Sequence, residues 1–444
     1  MRREAPAGWV ILPRMKSESG IRPSAGLRHV RYEIRGRLAR RAHELERQGY
    51  EIVSLNIGNP RAFGLRTPET MRLAMIENLA EAEGYCHQKG IFPAREAVVM
   101  QQQERGVTGV SAEEVFIGNG VSELIDLTLR ALLNEDDEVL VPSPDYPLWT
   151  AAVTLNRGRA VHYPCRPESG FVPDPEELAS LVTKRTRAIV IINPNTPTGA
   201  VYPRPVLEAL ARLAEERRLV VFSDEIYDQM TYEGAQFVPM ATLVHDTLCA
   251  TLSGLSKVYR ACGYRVGWAV FSGRTHDAAE YLHALELLAS LRLCSNVTAQ
   301  WAVQTALGGH QSVRELVAPG GRLYESRAAI LAGVQRSRFL TLSPPQGSMY
   351  AFVGVNPMVQ PDFDDQQFAL DLLEQKHVLI APGVSFNVPY CNHFRITNLP
   401  DAATLGEVFA RIEELLTAYA AATRQQGARD TVTRNVMRSV SRLK

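Results

Sequence analysis

Between about residues 110 and 270, short apolar stretches alternate with segments of helical periodicity. The apolar stretches read EEVFIGNG, DEVLVPSP, RAIVIINP, LVVFSDEIY, CATLSGLS and GWAVF. Continuous apolar runs such as AIVII are typical of strands that are covered on both faces. Between two of them, the segment VLEALARLAEERR repeats apolar residues at helical spacing, namely Leu207, Leu210, Ala211 and Ala214. The pattern predicts an α/β fold with a mostly parallel sheet between layers of helices.

Five of these predicted strands end in polar clusters. The clusters are GNGVSE, PSPDYP, NPNTPTG, SDEIY and SGLSK. In an open α/β sheet, ligands bind beyond the carboxyl ends of the strands. The sequence therefore predicts one site that is assembled from five loops.

Composition excludes several classes of function. The 444 residues are enough for two domains, and the 48 basic and 48 acidic residues cancel, so the chain as a whole does not indicate a nucleic-acid or membrane partner. No apolar run approaches the roughly 20 residues that span a bilayer. The six cysteines are scattered and include no CxxC pair. We therefore expect reduced thiols in a cytoplasmic protein, with neither a disulfide framework nor a bound metal.

The two ends of the chain differ from the rest. Residues 1–27 lack a long apolar segment, so we expect a flexible leader rather than a secretory signal, with Met15 as an alternative start and a transit peptide as a lesser alternative. A clear amphipathic helix is predicted near the end, with Leu405, Val408, Phe409, Ile412, Leu415, Leu416 and Tyr419 on its apolar face. After Ala422 this pattern stops, and residues 424–444 are predicted to be a basic tail that is flexible or only transiently helical, for which nucleic-acid contact is the lesser interpretation.

The first polar cluster lies in IGNGVSELIDLTLRALL, where a strand, a glycine turn and a helix follow one another. The helix is predicted to begin near Val121. Free N–H groups at a helix start bind phosphate, and the Ser122 hydroxyl would assist them. Taken alone, Ser122 could equally be an ordinary residue near a helix cap.

Two other clusters supply groups that suit a flat, charged ring. Asp224 follows the apolar run LVVF, and a carboxylate at a buried strand end needs a partner such as a pyridinium nitrogen. Tyr227 lies within hydrogen-bonding reach of the same region, and Tyr146 is held between prolines in a position that suits stacking. The alternatives are a helix cap for Asp224 and plain packing for the two tyrosines.

The stretch SGLSKVYRACGYRVGW contains a lysine at the end of an apolar run. If Lys257 is buried among small apolar residues, its neutral form is favoured, and a neutral amine is a nucleophile for an imine. Arg265 has the planar donors that neutralise a phosphate. Together with the other clusters, these groups indicate pyridoxal 5′-phosphate as the cofactor.

These motifs carry a resemblance to a known family. The pattern S-x-x-S-K followed by G-x-R-x-G, here SGLSKVYRACGYRVG, resembles that of the class I/II aminotransferases, which are fold-type I pyridoxal-phosphate enzymes. The resemblance covers about residues 28–420 and implies seven strands in the mostly parallel sheet. The segments YEIRG, SLNIGNP, GYCHQKG, PDYPLWTAAV and RLCSNV are similar to those of the alanine (glutamate–pyruvate) aminotransferase subgroup.

The resemblance implies a role for each cofactor-binding residue. Lys257 would bond covalently to the cofactor and later carry the proton between the substrate and the cofactor. Asp224 would keep the ring nitrogen protonated, Tyr227 would donate to the ring oxygen, and Tyr146 would stack on the ring. The phosphate would be held by Gly120, Val121, Ser122, Ser256 and Arg265.

The resemblance also implies substrate and subunit contacts. Arg395, in HFRITN, would pair with the substrate α-carboxylate, with Gly58 lying against it. Tyr85 would reach the phosphate of a neighbouring subunit, which implies a homodimer with shared sites. Arg35 would help to receive the distal carboxylate of glutamate or would be a structural arginine, and the same two interpretations apply to Arg292.

One position departs from the family pattern. The family has NPxNPTG after the AIVII strand, whereas this chain has NPNTPTG. Thr196 therefore stands where an asparagine normally donates to the ring oxygen. A threonine hydroxyl is also a donor, but it is shorter and is placed differently. We expect the cofactor to bind with an altered dependence of its absorbance on pH.

From the resemblance we expect an N-terminal arm over residues 28–60, a large cofactor-binding domain over 61–310 and a smaller α/β domain over 311–423 that also uses the N-terminal part. The implied reaction moves an amino group between L-alanine and 2-oxoglutarate. The alternatives are another amino donor, or redirection to elimination or oxidation. A regulator with a DNA-binding helix-turn-helix is disfavoured because only about 30 residues precede YEIRG. An inactive relative is disfavoured because both Lys257 and Asp224 are present.

Overall fold

The computed structural model describes residues 21–30 and 36–441. Its helices vary from one turn to eleven turns in length. In chain order they are α1 (Arg37–Arg47), α2 (Glu69–Glu77), α3 (Phe92–Glu104), α4 (Val121–Leu132), α5 (Pro147–Leu155), α6 (Pro175–Ser180), α7 (Arg204–Arg217), α8 (Ala279–Leu291), α9 (Val297–Gln300), α10 (Ala302–Gly308), α11 (Val313–Val317), α12 (Arg322–Arg336), α13 (Asp365–Lys376) and α14 (Ala402–Ser441).

The strands form one large sheet and two small ones. In chain order they are β1 (Val53–Ser54), β2 (Val115–Gly118), β3 (Glu138–Ser143), β4 (Arg159–Pro164), β5 (Thr186–Ile192), β6 (Val220–Asp224), β7 (Leu248–Gly254), β8 (Gly267–Gly273), β9 (Leu340–Thr341), β10 (Tyr350–Val355), β11 (Val378–Leu379), β12 (Ala381–Pro382) and β13 (His393–Thr397).

The large sheet has seven strands in the order β2-β8-β7-β6-β5-β3-β4. Strand β8 runs antiparallel to both of its neighbours, and the other pairs are parallel. The predicted fold class and the six apolar stretches are confirmed as strands of this sheet. Strand β4, RAVHYP, has no continuous apolar run because it is an edge strand whose side chains are mostly half-buried, so the apolar pattern did not indicate it.

The sheet brings five strand ends to one edge. Strands β3, β5, β6 and β7 are mutually parallel, and β2 has the same direction because β8 is antiparallel to both β2 and β7. The carboxyl ends of all five strands therefore point the same way. The five polar clusters follow these ends directly, so their convergence is a consequence of the topology.

A second, smaller unit joins the two ends of the described chain. Strand β1 pairs in parallel with β11, through Val53 with Val378 and Ser54 with Leu379. Beside them, the order β12-β13-β10-β9 forms an antiparallel sheet. Helices α12 and α14 pack on each other and enclose a separate apolar core. This arrangement places β10 and β13 next to the carboxyl edge of the large sheet.

Helix α7 illustrates how the apolar pattern holds the layers together. Its four predicted apolar positions are all buried against the large sheet: Leu207, Leu210, Ala211 and Ala214. Burial of a leucine side chain stabilises the fold by about 1.5–3 kcal/mol. The helix ends where Arg218 adopts a left-handed conformation, with φ of 53°.

The C-terminal prediction needs a correction. The predicted apolar face of the last helix is buried as expected. However, α14 runs on to Ser441, whereas the sequence predicted a flexible tail from residue 424. The added segment contains no proline and a single glycine, and a helix that is already nucleated lengthens at little cost through residues such as Arg, Gln, Ala and Met.

The predicted leader lies mostly outside the described residues. Within the described ranges, no helix is both long enough and apolar enough to cross a bilayer, and no three acidic, histidine or cysteine side chains are grouped as metal ligands.

Candidate active site

A cavity of about 1960 Å³ lies at the carboxyl edge of the large sheet and faces the small unit. Eleven of the residues singled out in the sequence line it. They are Gly58, Val121, Ser122, Tyr146, Thr196, Asp224, Tyr227, Ser256, Lys257, Arg265 and Arg395. The cavity also extends towards helix α1. The single site predicted from five loops is thus a single cavity.

The start of helix α4 forms one wall. Gly120 precedes the helix with φ of 85°, a conformation that favours glycine. A Cβ atom there would lie 2.3 Å from Nη2 of Arg265, so only glycine permits this close approach. Arg265 donates to the carbonyl oxygens of Cys262 (2.8 Å) and Asn119 (3.3 Å), and neither partner carries a charge. The exposed guanidinium and the helix start therefore make an anion-binding corner.

Lys257 is placed differently from the expectation of full burial. Strand β7 is buried throughout, but it ends at Gly254, and Lys257 lies in the following loop, where it is half-buried. Its Nζ donates to the Gly58 carbonyl oxygen over 3.0 Å. The chain has left the core at this point, so the amine reaches the cavity rather than an apolar interior.

Asp224 is the last residue of β6 and is only 3% exposed. Burial raises the pKa of its carboxyl to about 6, although the Trp149 hydrogen bond, a backbone N–H and the charge of Lys257 act in the opposite direction. Nε1 of Trp149 donates to Oδ2 over 3.1 Å and fixes the orientation of the group. A positively charged ligand atom beside Oδ1 or Oδ2 would stabilise the ionised form.

Two buried tyrosines meet beside Lys257. The rings of Tyr227 and Tyr350 are 6.2 Å apart and nearly perpendicular. Burial, followed by the neighbouring Tyr350, raises the pKa of Tyr227 well above its usual value. Tyr227 therefore keeps its proton and is a hydrogen-bond donor at neutral pH.

Arg395 lies on β13, a central strand of the small sheet, and is only 2% exposed. Its guanidinium carbon lies 4.0 Å from the centroid of the Tyr350 ring and 4.6 Å from that of Phe386. Nη2 donates to the Asn56 carbonyl oxygen, whereas Nε is buried and has no hydrogen-bond partner among the described residues. A buried cation with an unsatisfied donor that lines a cavity is suited to bind a carboxylate.

Thr196 lies in the loop after β5 and is 5% exposed. Its Oγ1 is buried and finds no hydrogen-bond partner within the described part of the chain. The neighbouring Asn195 is engaged elsewhere, since its side chain accepts from Thr198 and lies near Tyr202. Asn195 therefore does not take the place of the missing asparagine.

Tyr85 and Arg292 lie apart from this cluster. Tyr85 is 82% exposed and does not line the cavity. Arg35 lies outside the described residues. Arg292 is 3.3 Å from Oε1 of Glu123 through Nε and donates to the Ile117 carbonyl oxygen through Nη2, which supports the structural interpretation of this arginine.

Sequence reasoning missed two residues of the site. Trp149 lies within PDYPLWTAAV, but nothing in that segment indicated that its indole would reach Asp224. Tyr350 begins a strand of the small sheet and lines the cavity. Its only sequence signal is an aromatic residue at the start of YAFVGV, because the contacts that give it importance join residues far apart in the chain.

Comparison with known proteins agrees with this geometry. The family model described as "Aminotransferase class I and II" matches residues 50–412. The glutamate–pyruvate aminotransferase AlaA of Haemophilus influenzae is 45% identical over 393 residues, which are 88% of this chain and 97% of that protein. The alanine aminotransferase of Mycobacterium bovis is 44% identical over 397 residues, 89% of this chain and 92% of that protein.

Solved structures show the same relationship. A crystal structure of an aminotransferase from Escherichia coli superposes with a TM-score of 0.89 at 44% identity, covering 90% of this chain and all of that one. The family match spans the five loops at the carboxyl edge of the sheet, including Lys257, and also Arg395. The chain therefore belongs to the class I and II aminotransferases.

Proposed function

We propose that this aminotransferase moves an amino group between L-alanine and 2-oxoglutarate, with pyruvate and L-glutamate as products. The observation that carries the proposal is the meeting, in one cavity, of the Lys257 amine with the buried Arg395 guanidinium. An amino acid or 2-oxo acid has a carboxylate next to its reacting carbon, and this pair of groups suits that arrangement. The choice of alanine and glutamate is supported by the similarity to the glutamate–pyruvate aminotransferase AlaA of Haemophilus influenzae.

Members of this family depend on pyridoxal 5′-phosphate, whose aldehyde takes up the amino group and whose ring stabilises negative charge at the substrate α-carbon. The cavity has the groups that such a ligand needs. Thr196 Oγ1 and Arg395 Nε are buried and unsatisfied within the described residues. Gly120 packs directly against the Arg265 guanidinium, and Asp224 is a buried carboxyl group. The residues present therefore fit the cofactor.

Each part of the cofactor would contact cavity residues of matching chemistry. The N–H groups at the start of α4, with Ser122, Ser256 and Arg265, would hold the phosphate. Asp224 would pair with the protonated ring nitrogen, and Trp149 would keep its carboxyl oriented. Tyr146 would pack on the ring face, while Tyr227 and Thr196 would donate to the ring oxygen.

Lys257 would hold the cofactor covalently and move a proton at the substrate α-carbon. Its Nζ already contacts Gly58, whose backbone borders the same space as Arg395. Arg395 would bind the α-carboxylate, and the aromatic rings of Tyr350 and Phe386 beside it would exclude water from the ion pair. The carboxylate would thus be anchored while the α-carbon faces the amine. Arg35 remains our candidate for the distal carboxylate of glutamate.

We further propose that the enzyme is a cytoplasmic homodimer. The exposed ring of Tyr85 supports this assembly, because it lies outside the cavity of its own chain and is free to reach another. All six cysteines are free thiols, which supports a reducing compartment.

A panel of amino donors and 2-oxo acids tests the substrate assignment. The purified enzyme, loaded with the cofactor, is assayed for product with each donor paired with each acceptor. We expect L-alanine with 2-oxoglutarate, and the reverse pair, to give the highest kcat/KM. Absence of turnover with alanine, together with efficient turnover of another donor, would refute the assignment and support a different donor. Without an acceptor, the transaminase can release only one equivalent of 2-oxo acid per active site, so continued release beyond one equivalent would instead support elimination or oxidation.

A further inference from the structure

Tyr350 opens strand β10 and reaches the cavity from the small sheet. Tyr350 pairs with Thr397 and Phe352 pairs with Arg395, so Tyr350 and Arg395 are diagonal neighbours on one face. The guanidinium carbon of Arg395 lies 4.0 Å from the ring centroid. The Tyr350 ring therefore fixes one side of the cation that is proposed to bind the substrate carboxylate.

The hydroxyl group of the same residue acts on the other reacting group. The Gly58 N–H donates to the Tyr350 hydroxyl over 2.9 Å, and the Gly58 carbonyl accepts from Nζ of Lys257 over 3.0 Å. The phenol thus binds the N–H of the same residue whose carbonyl oxygen accepts from the Lys257 amine. A Cβ atom on Gly58 would lie 2.4 Å from the phenol oxygen, so the contact requires glycine at that position.

The charges around Tyr350 match this arrangement. Burial alone would raise the pKa of the phenol, but the positive charges of Lys257 and Arg395 and the Gly58 N–H outweigh it, and the pKa is lowered overall. The lowered pKa shows that the phenol oxygen lies next to both cations, and its lone pairs favour positive charge beside it. Tyr227, which touches Tyr350, has its pKa shifted in the opposite direction.

We propose that Tyr350 is a positioning residue that sets the placement of the Lys257 amine relative to the Arg395 guanidinium. Its hydroxyl acts on Lys257 through Gly58, and its ring acts directly on Arg395. One side chain thus aligns the group that moves the proton with the group that holds the carboxylate. The inference rests on the roles proposed above for Lys257 and Arg395.

The substitution Tyr350→Phe removes the hydroxyl and keeps the ring. We expect kcat for L-alanine and 2-oxoglutarate to fall about tenfold, because misplacement of a reacting group by a fraction of an ångström has effects of this size. KM should change by less than about threefold, because the stacking on Arg395 is retained. Without substrate, the pH midpoint of the cofactor's visible absorption should fall by about half a unit, because the hydroxyl oxygen that holds Gly58, and through it stabilises positive charge at Nζ of Lys257, is gone.

A matched control is available in Tyr232→Phe. Tyr232 is also buried, donates to the Ser348 carbonyl, accepts from Asn398 and lies under a guanidinium, that of Arg327. It does not line the cavity. We expect this variant to lose a similar amount of stability, seen as a lower Tm, while kcat, KM and the absorption midpoint stay at the wild-type values.

A second variant separates the ring from the hydroxyl. Tyr350→Leu removes both, so KM should rise about tenfold above that of Tyr350→Phe, because the cation–π contact with Arg395 is lost. If Tyr350→Phe matches Tyr232→Phe in kcat, KM and absorption midpoint, the inference is wrong. That result is distinct from a failure of the proposed function, which would appear in the wild-type enzyme as absence of turnover with alanine.

Discussion

Thr196 is the residue at which this chain departs from the pattern of its family. Its hydroxyl is buried and unsatisfied within the described residues, and it lines the cavity. A buried hydroxyl without a partner costs about 1–3 kcal/mol. A ligand atom that accepts from this hydroxyl would remove the cost, which supports a contact between Thr196 and the cofactor.

The substitution Thr196→Asn tests that contact. The longer amide should donate more effectively to the negatively charged ring oxygen and stabilise the deprotonated form of the bound chromophore. A hydrogen bond is worth about 0.5–1.5 kcal/mol, so the pH midpoint of the visible absorption should fall by roughly half to one unit. The measurement is a spectrophotometric pH titration of both proteins in the absence of substrate.

The neighbouring Thr198→Ala is a suitable control, because its hydroxyl donates to Asn195 and does not line the cavity. Its absorption midpoint should equal that of the wild type. Identical midpoints in Thr196→Asn and the wild type would show that residue 196 does not contact the ring oxygen.

At the residue scale, the sequence identified the groups whose chemistry is unusual for their surroundings. Lys257, Asp224 and Arg395 were found because a charge next to an apolar strand, or in a family motif, needs an explanation. Trp149 and Tyr350 were not found. An aromatic residue in an apolar segment is ordinary, and their importance comes from contacts across 75 and 292 positions of the chain.

At the scale of elements, apolar patterning predicted six strands of the large sheet and missed its half-exposed edge strand. Strand β5, with the run AIVII, is buried at six of its seven positions. Strand β4 is half-exposed along most of its length and was not predicted. The apolar run before Lys257 suggested that this lysine is buried. Strand β7 stops at Gly254, however, and the lysine enters the cavity from the loop that follows.

Helix α14 is longer than its apolar periodicity predicted. Its apolar face was predicted because it packs on α12 and the small sheet. The continuation to Ser441 was not predicted, because the apolar positions at helical spacing stop at Tyr419 and residues 424–441 do not continue them. Apolar periodicity therefore did not indicate where this helix ends.

For the whole molecule, the direction of the strands determines where the site lies. The carboxyl ends of five strands meet the small unit, and the cavity lies between the two. The strand order could not be predicted from local patterns, because it depends on which strands pair across long separations. The convergence of the five loops could be predicted, since it requires only that the strands share a direction.

The proposed homodimer can be tested with mixed dimers of two variants. If Tyr85 serves the partner's site, a dimer of one Lys257→Ala chain and one Tyr85→Ala chain has one intact site. Co-expression with two different tags and purification through both should give a heterodimer with about half of the wild-type turnover. Each variant alone should be strongly impaired.

The control for this experiment pairs Lys257→Ala with Asp224→Ala. Both residues line the cavity of a single chain, so the mixed dimer has no intact site and should stay inactive. Failure of the two tags to purify together would show that the chains do not dimerise. Equal activity of the two mixed dimers would show that Tyr85 does not act in the partner's site.

The role of Lys257 is the central claim, and its most direct test is the turnover of L-alanine with 2-oxoglutarate by Lys257→Ala. A half-buried lysine on α13 that does not line the cavity gives the control Lys376→Ala, which removes an ion pair with Glu414. We predict that Lys257→Ala folds, binds the cofactor and loses kcat by at least about a thousandfold, while Lys376→Ala keeps wild-type kcat. Turnover by Lys257→Ala within tenfold of the wild type would contradict the account.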